Sequence, residues 1–208
     1  MMSLSRLWML VCTSMLFTWI PFSLVKATDA TITARDFRLY MDWQDGRLDP
    51  RLAKDSEESK LLKIAKSLGV STQVLKDAIA LVEPQLPTLA DRVKQSIEQG
   101  LKTTPLEKRL VDVKVDVSQA DVVAAVAWRC PNETTIDIDA VQVAYSTMAA
   151  APLVQALAVW CVDDKGDKLF SAKIGRGAAQ KIQASQIERF ASSRYIRLFE
   201  TIKRGPHD

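Results

Sequence analysis

Val111-Asp112-Val113-Lys114-Val115-Asp116-Val117 alternates apolar and charged residues, and Leu110 precedes it. A period of two sends the valines to one side of an extended chain and the charges to the other, so 110–117 reads as a strand with one wet face. Ser118-Gln119-Ala120-Asp121 is a turn, and Val122–Cys130 follows, apolar on both faces as a central strand must be. Pro131-Asn132 closes it. Thr134/Thr135 precede a helix expected to run through about Ala150, carrying Ile138, Val141, Val143, Ala144, Tyr145 and Met148, and Pro152 leads into a second near-continuous apolar strand, Leu153–Val162. Asp163-Asp164-Lys165-Gly166-Asp167 is a hairpin turn, with glycine supplying the positive φ, and Leu169–Ile174 returns. After Gly175-Arg176-Gly177 come a short helix, Ala178–Ile182, and a final one, Ser193–Lys203, expected to bury Ile196, Leu198, Phe199 and Ile202.

Upstream of Leu110 the period is helical. Thr31–Leu48 places Phe37, Tyr40, Met41 and Leu48 opposite Arg35, Asp36, Arg38 and Asp42, and Gly46 with Asp49-Pro50 ends it. Arg47 to Ser59 reads as a solvated connection. A second helix runs from Ser56 to Leu68, capped by Asp55 or Ser56, with Leu61, Leu62, Ile64, Ala65 and Leu68 on one face and Gly69 as its left-handed stop. Ser71 caps a third to about Val82 with Val74, Leu75, Ala78 and Ile79, terminated by Pro84 and Pro87. In a fourth, Thr88–Lys102, Leu89, Val93, Ile97 and Leu101 recur every four residues, which calls for a helical partner. The fold class is therefore α+β: an N-terminal helical unit of about four helices over 28–104, then a ββαββα unit with a C-terminal helix over 105–208.

Residues 1–27 are unlike the rest. A basic start ends at Arg6, Leu7–Val25 has no charged residue, and Val25-Lys26-Ala27 offers small residues where a signal peptidase reads them. Cleavage after Ala27 is expected, leaving a periplasmic or secreted chain; the alternative is an inner-membrane anchor formed by 7–25. Leu10-Val11 before Cys12 lacks the small residue of a lipoprotein site. The 208 residues hold 28 Lys+Arg and 25 Asp+Glu, and loss of the leader removes Arg6 and Lys26 alone, so net charge falls from +3 to +1. That balance is uneven. From Lys173 onward eight bases meet three acids, against 18 bases and 22 acids over 28–172. A charged fraction of 25% and an even residue mix exclude disordered, collagen-like and polytopic membrane classes.

Ile64 to Ile79 resembles a helix-turn-helix, with Ala65 at the helix contact, Gly69 in the turn and Leu68, Val70, Leu75 and Ala78 at packing positions. The outward residues Ser71, Thr72, Gln73 and Lys76 carry one cation in a net acidic region, so packing explains the pattern and nucleic acid is not an expected partner. Cys130 and Cys161, closing two strands of a β-α-β crossover at the same end, are expected to form a disulfide; two buried thiols are the alternative. No catalytic, cofactor or metal residue is assigned. The only histidine, His207, is penultimate, which removes His-dependent triads and multi-His zinc sites. Asp137 and Asp139 suit a helix start, Asp163, Asp164 and Asp167 fall short of a Ca²⁺ loop, and Gly175-Arg176-Gly177 lacks the rest of a phosphate loop. Arg189, Arg194, Arg197, Lys203 and Arg204 are the candidate anion or partner site, meeting an acidic protein or an anionic lipid surface from the final helix.

Phe37-Arg38-Leu39-Tyr40-Met41-Asp42-Trp43-Gln44 and Arg194-Tyr195-Ile196-Arg197-Leu198-Phe199-Glu200 resemble segments shared among uncharacterised exported proteins of myxobacteria and related deltaproteobacteria. The resemblance implies a bacterial envelope location and carries no functional residue, because that family has no known activity. The expected function is an exported, non-enzymatic binding or interaction module. A helix-turn-helix regulator, cytosolic or membrane-anchored, and a carboxylate-dependent enzyme are the alternatives.

Overall fold

The computed structural model describes residues 31–131 and 133–205. The leader with its cut after Ala27, the anchor over 7–25, Asn132 and His207 lie outside the described residues. The chain is α+β, with an N-terminal set of helices followed by a five-stranded mixed sheet of order β1-β2-β3-β4-β5.

Four helices come first: α1 (Ala34–Arg47), α2 (Glu57–Ser67), α3 (Thr72–Val82) and α4 (Leu86–Lys102). Thr33 and Asp36 form a reciprocal capping box on α1, and the Ser56 and Ser71 hydroxyls accept from Ser59 N–H and Val74 N–H to start α2 and α3. Leu39, Trp43, Leu61, Ile64, Ala65, Leu75 and Ala78 make a small core among α1, α2 and α3. Gly69, at φ +68°, makes the turn of the α2–α3 hairpin, and the helix-turn-helix positions Ala65, Leu75 and Ala78 are spent on this packing.

Several expectations need correcting here. Gly46 is the penultimate residue of α1, which stops at Arg47 ahead of Asp49-Pro50, and it also makes room for α2, since a Cβ there would stand 2.9 Å from Ile64 Cδ1. Leu48 is 76% exposed and Leu62 61%, since each points away from the three-helix contact, while Trp43 takes the buried place on α1. Val74 is also exposed. α3 ends at Val82 as expected, but α4 begins at Leu86, two residues before the expected Thr88. One 3₁₀ turn, Glu83–Gln85, links them, and Pro87 sits in the first turn of α4, where a missing N–H costs nothing.

Leu89, Val93, Ile97 and Leu101 of α4 are all buried, each worth roughly 1.5–3 kcal/mol before chain entropy is counted. Their partner is not purely helical. The stripe packs on α5 (Ile136–Ala150) and on β1 (Leu110–Asp116) together. One core accordingly runs from Phe37 and Tyr40 through α4 and α5 to the sheet, and the described residues from Thr31 onward form one compact unit. The boundary expected near Thr104 therefore falls inside that unit.

At Gly100, α4 touches α5 so closely that a Cβ would lie 2.5 Å from Ala150 Cβ and 3.2 Å from Ser146 O. Gly to Ala at an exposed helical site gains up to about 1 kcal/mol. Gly100→Ala is expected to lose about 1–2 kcal/mol instead, through overpacking, read as a lower urea midpoint at unchanged slope. A gain would show that the two helices separate freely.

β1 runs antiparallel to β2 (Val122–Arg129), β2 parallel to β3 (Val154–Val162), and β3 antiparallel to β4 (Lys168–Gly175). A register shift between Leu110 and Asp112 takes Val111 out of the alternation, and it is 50% exposed. The Asp163 carboxylate accepts from the N–H groups of Lys165 and Asp167 to close the β3–β4 hairpin. The short helix expected over 178–182 is found over Arg176–Ala179 (α6), and α7 (Ile187–Phe190) follows.

The largest correction is at the C-terminus. The helical segment continues from α7 through a π turn, Ala191–Tyr195, and a 3₁₀ turn, Ile196–Leu198, and then stops. Glu200–Arg204 is a fifth strand, β5, antiparallel to β4. A β4 without it would leave a row of backbone groups unpaired, and Ile202, expected in the core, is 39% exposed on this edge.

Candidate functional site

Each sheet strand sends alternate side chains to opposite faces. On one face Val113, Val126, Val159 and Ala172 align across four strands, none more than 3% exposed, beneath α4, α5 and α6. On the other, the cross-strand registers build two rows: Asp112, Ala127, Trp160, Ser171 and Lys203, and beside it Lys114, Ala125, Ala158, Lys173 and Glu200. Apart from Ala127, these residues are half-buried or exposed, so no described element roofs this face.

Its middle is apolar and small-residued, and its β3–β5 side is basic. There a groove of about 320 Å³ is lined by Ala158, Trp160, Ser171, Lys173, Thr201 and Lys203, among others. Lys168 Nζ lies 5.5 Å from the Trp160 ring centroid, a cation held over an aromatic face. Among the described residues no carboxylate comes within ion-pair distance of Lys173 or Lys203. Thr201, at φ +51°, is the one non-glycine residue in the left-handed region among those described, a costly conformation for a β-branched side chain. The groove wall is thus built on a locally strained strand.

The five candidate anion-binding residues do not share a helix. Arg189 lies over the Phe190 ring at 5.0 Å and Arg194 over Tyr195 at 5.7 Å, both on the helical turns, where Arg197 is exposed. Lys203 stands on the open face. Arg204 turns the other way, 5.4 Å over the Phe170 ring and 2.6 Å from Asp137 Oδ1. Only Lys203 of the five therefore belongs to the groove. The sequence reading missed Trp160 and Lys173; the signal for Lys173 is the alternation of Phe170, Ala172 and Ile174 with Ser171 and Lys173, a strand with one wet face.

Three of the acids weighed as site candidates are engaged within the fold. Asp139 is gripped by Arg109, with Nη1 to Oδ2 at 2.6 Å and Nη2 to Oδ1 at 2.8 Å; Asp137 pairs with Arg204; and Asp163 holds its hairpin. The hydrogen bond to Asp139 raises the Arg109 pKa above its ordinary value, opposed by desolvation. Among the described residues no group of three or more His, Cys, Asp or Glu is placed to hold a metal ion. Outward from the α2–α3 hairpin, the Gln73 amide donates to Asp77 Oδ1 at 2.8 Å, so that surface is polar and self-paired.

Cys130 and Cys161 are bonded, with Cα atoms 5.7 Å apart, and tie the C-terminal ends of the parallel strands β2 and β3 together. Among the described residues no helix is long and apolar enough to cross a membrane. The chain matches no known protein family, no curated protein and no solved structure.

Proposed function

We propose that the chain is an exported, non-catalytic interaction module whose working surface is the open face of the sheet. The observation that carries this reading is an unroofed parallel pair. Strands β2 and β3 are apolar on both faces, as parallel strands are when both faces are covered, yet among the described residues helices cover one face only. Beside that uncovered apolar floor stand Trp160 and two unpaired lysines, the composition of a surface for an acidic protein partner. The position of the disulfide and the leader-like segment 1–27 favour an oxidising envelope compartment, as does the resemblance to exported bacterial proteins.

The test has two readouts. In a cell fraction, the mature chain is expected in the periplasm with its N-terminus at Thr28; a chain retaining Met1 in the cytosol overturns export and reopens the regulator. For the face, Ala158→Arg plants a long cation in the middle of the floor. It is expected to abolish retention of envelope proteins on the immobilised chain while its thermal midpoint stays with the wild type. Retention indifferent to Ala158→Arg removes the open face as the working surface.

A further inference from the structure

The two cross-strand rows carry a pattern that neither strand shows alone. One row begins with Asp112 on β1 and ends with Lys203 on β5; the next begins with Lys114 and ends with Glu200. Both rows are therefore opposite in charge at their two ends, and adjacent rows are opposite to each other. A two-fold axis lying in the face and running along β3, the middle strand, keeps each row at its own height and reverses its order. Asp112 then meets Lys203 of a second copy, and Lys114 meets Glu200. Between these ends, small Ala125, Ala127, Ala158 and Ser171 surround Trp160, which lies on the axis and meets its own copy, and the two sheets pack at about the 10 Å of a sandwich.

Resting on the reading of the open face as the working surface, we infer that its acidic partner is a second copy of this chain, docked face to face in an isologous two-sheet sandwich. The face measures roughly 24 by 23 Å from strand spacing and rise, which is about 1,100 Å² over both copies, just above the ~1,000 Å² a specific interface needs. Obligate dimers bury about 2,000 Å² or more and interfaces near this size belong to transient contacts, so the expected dimer is reversible. Asp112 and Lys114 are already 3.4 Å apart within one chain, but such an exposed pair is worth little and re-pairs at small cost. The geometry also accounts for Lys203, which has no carboxylate within ion-pair distance among the described residues: the acid that matches it, Asp112, is on β1, at the far edge of the same face, while Lys173 comes to lie over Ala125 of the second copy.

The decisive experiment is a charge swap read by sedimentation equilibrium on chains 28–208. The wild type is expected to show a concentration-dependent monomer–dimer equilibrium in the micromolar range. Lys203→Asp and Asp112→Lys, each acting twice per symmetric dimer, are each expected to weaken it about tenfold or more. An equimolar mixture of the two variants restores it. In the mixed dimer the two substituted side chains, a new lysine on β1 and a new aspartate on β5, face each other, and the native Asp112 of one chain faces the native Lys203 of the other. This rescue separates lost association from lost folding. A wild type monomeric throughout, reversals without effect, or a mixture that stays monomeric overturns the second copy as partner. If the wild type is monomeric while Ala158→Arg still abolishes retention of envelope proteins, the face stands and only its occupant is wrong.

Discussion

Replacing Asp139 by alanine is expected to cost the folded chain about 4 kcal/mol, read as a fall in the urea midpoint. Asp139 lies in the first turns of α5, on a helix buried nearly all round, and its side chain is only 8% exposed. It tolerates that position because Arg109, from the 3₁₀ turn before β1, meets it with two parallel N–H···O bonds at 2.6 and 2.8 Å, the geometry in which an arginine and a carboxylate are strongest. Truncation removes the bonds and also leaves the guanidinium, 23% exposed, without its anion. Breaking one side of such a pair typically costs about 3–5 kcal/mol, far more than the intact pair contributes over an apolar replacement. The double variant Arg109→Met with Asp139→Leu is therefore expected to recover most of the loss, to within about 1 kcal/mol of the wild type. Were the double variant as unstable as the single one, the pair would have to be a net source of stability. Neutral pH does not tune it through the arginine. A base whose folded pKa is raised keeps its contribution at every pH below its unfolded value and loses it only as pH rises through the folded one, outside the working range.

Nothing in the sequence announces that pair, since its members are 30 residues apart and on different elements. A hint existed in Asp139 itself, set between Ile138 and Ala140-Val141 in a largely apolar helix, where a charge needs a partner. By contrast, features generated by a single period were fully legible. The four-residue spacing of Leu89, Val93, Ile97 and Leu101 gave a stripe that is entirely buried, and the apolar runs at β2 and β3 gave a parallel central pair whose ends carry bonded cysteines.

The failures cluster where two periods fit one segment or where a long-range neighbour decides. Ile196, Phe199 and Ile202 recur every third residue, which suits a helix, yet the free edge of β4 recruits 200–204 as a strand. Leu62 and Leu48 are apolar residues on helices that have a neighbour on one side only, and they face the other. The open sheet face escaped because each strand alone looks ordinary. Its charge pattern exists only along the rows, which depend on four registers at once.

Arg176 is expected to show the other large effect, a loss of about 3 kcal/mol or more on substitution by alanine. The residue lies just after β4, in the glycine-flanked turn that on sequence alone resembled a fragment of an anion cradle. Its side chain does the opposite and binds the backbone of the α5–β3 connection: Nε donates to Val154 O at 2.6 Å, Nη1 to Met148 O at 3.1 Å and Nη2 to Ala151 O at 2.6 Å. Met148 and Ala151 belong to the C-terminal end of α5, whose last carbonyls have no intrahelical donor and whose dipole favours a cation. One planar group thus caps a buried helix and fixes the entry into β3, the strand on which Trp160 and Ala158 stand. Among the described residues no carboxylate pairs with it, and burial lowers the arginine pKa from its ordinary value, a cost that the three carbonyl bonds offset. Arg176→Lys is expected to recover little, because a single ammonium cannot reach three carbonyls spread around a guanidinium plane. Hydrogen exchange distinguishes this from a uniform loss of stability. Amides at the end of α5 and the start of β3 should lose protection before those of β1 and the α1–α3 helices do, and uniform loss across the chain would show that Arg176 has no local clasp function.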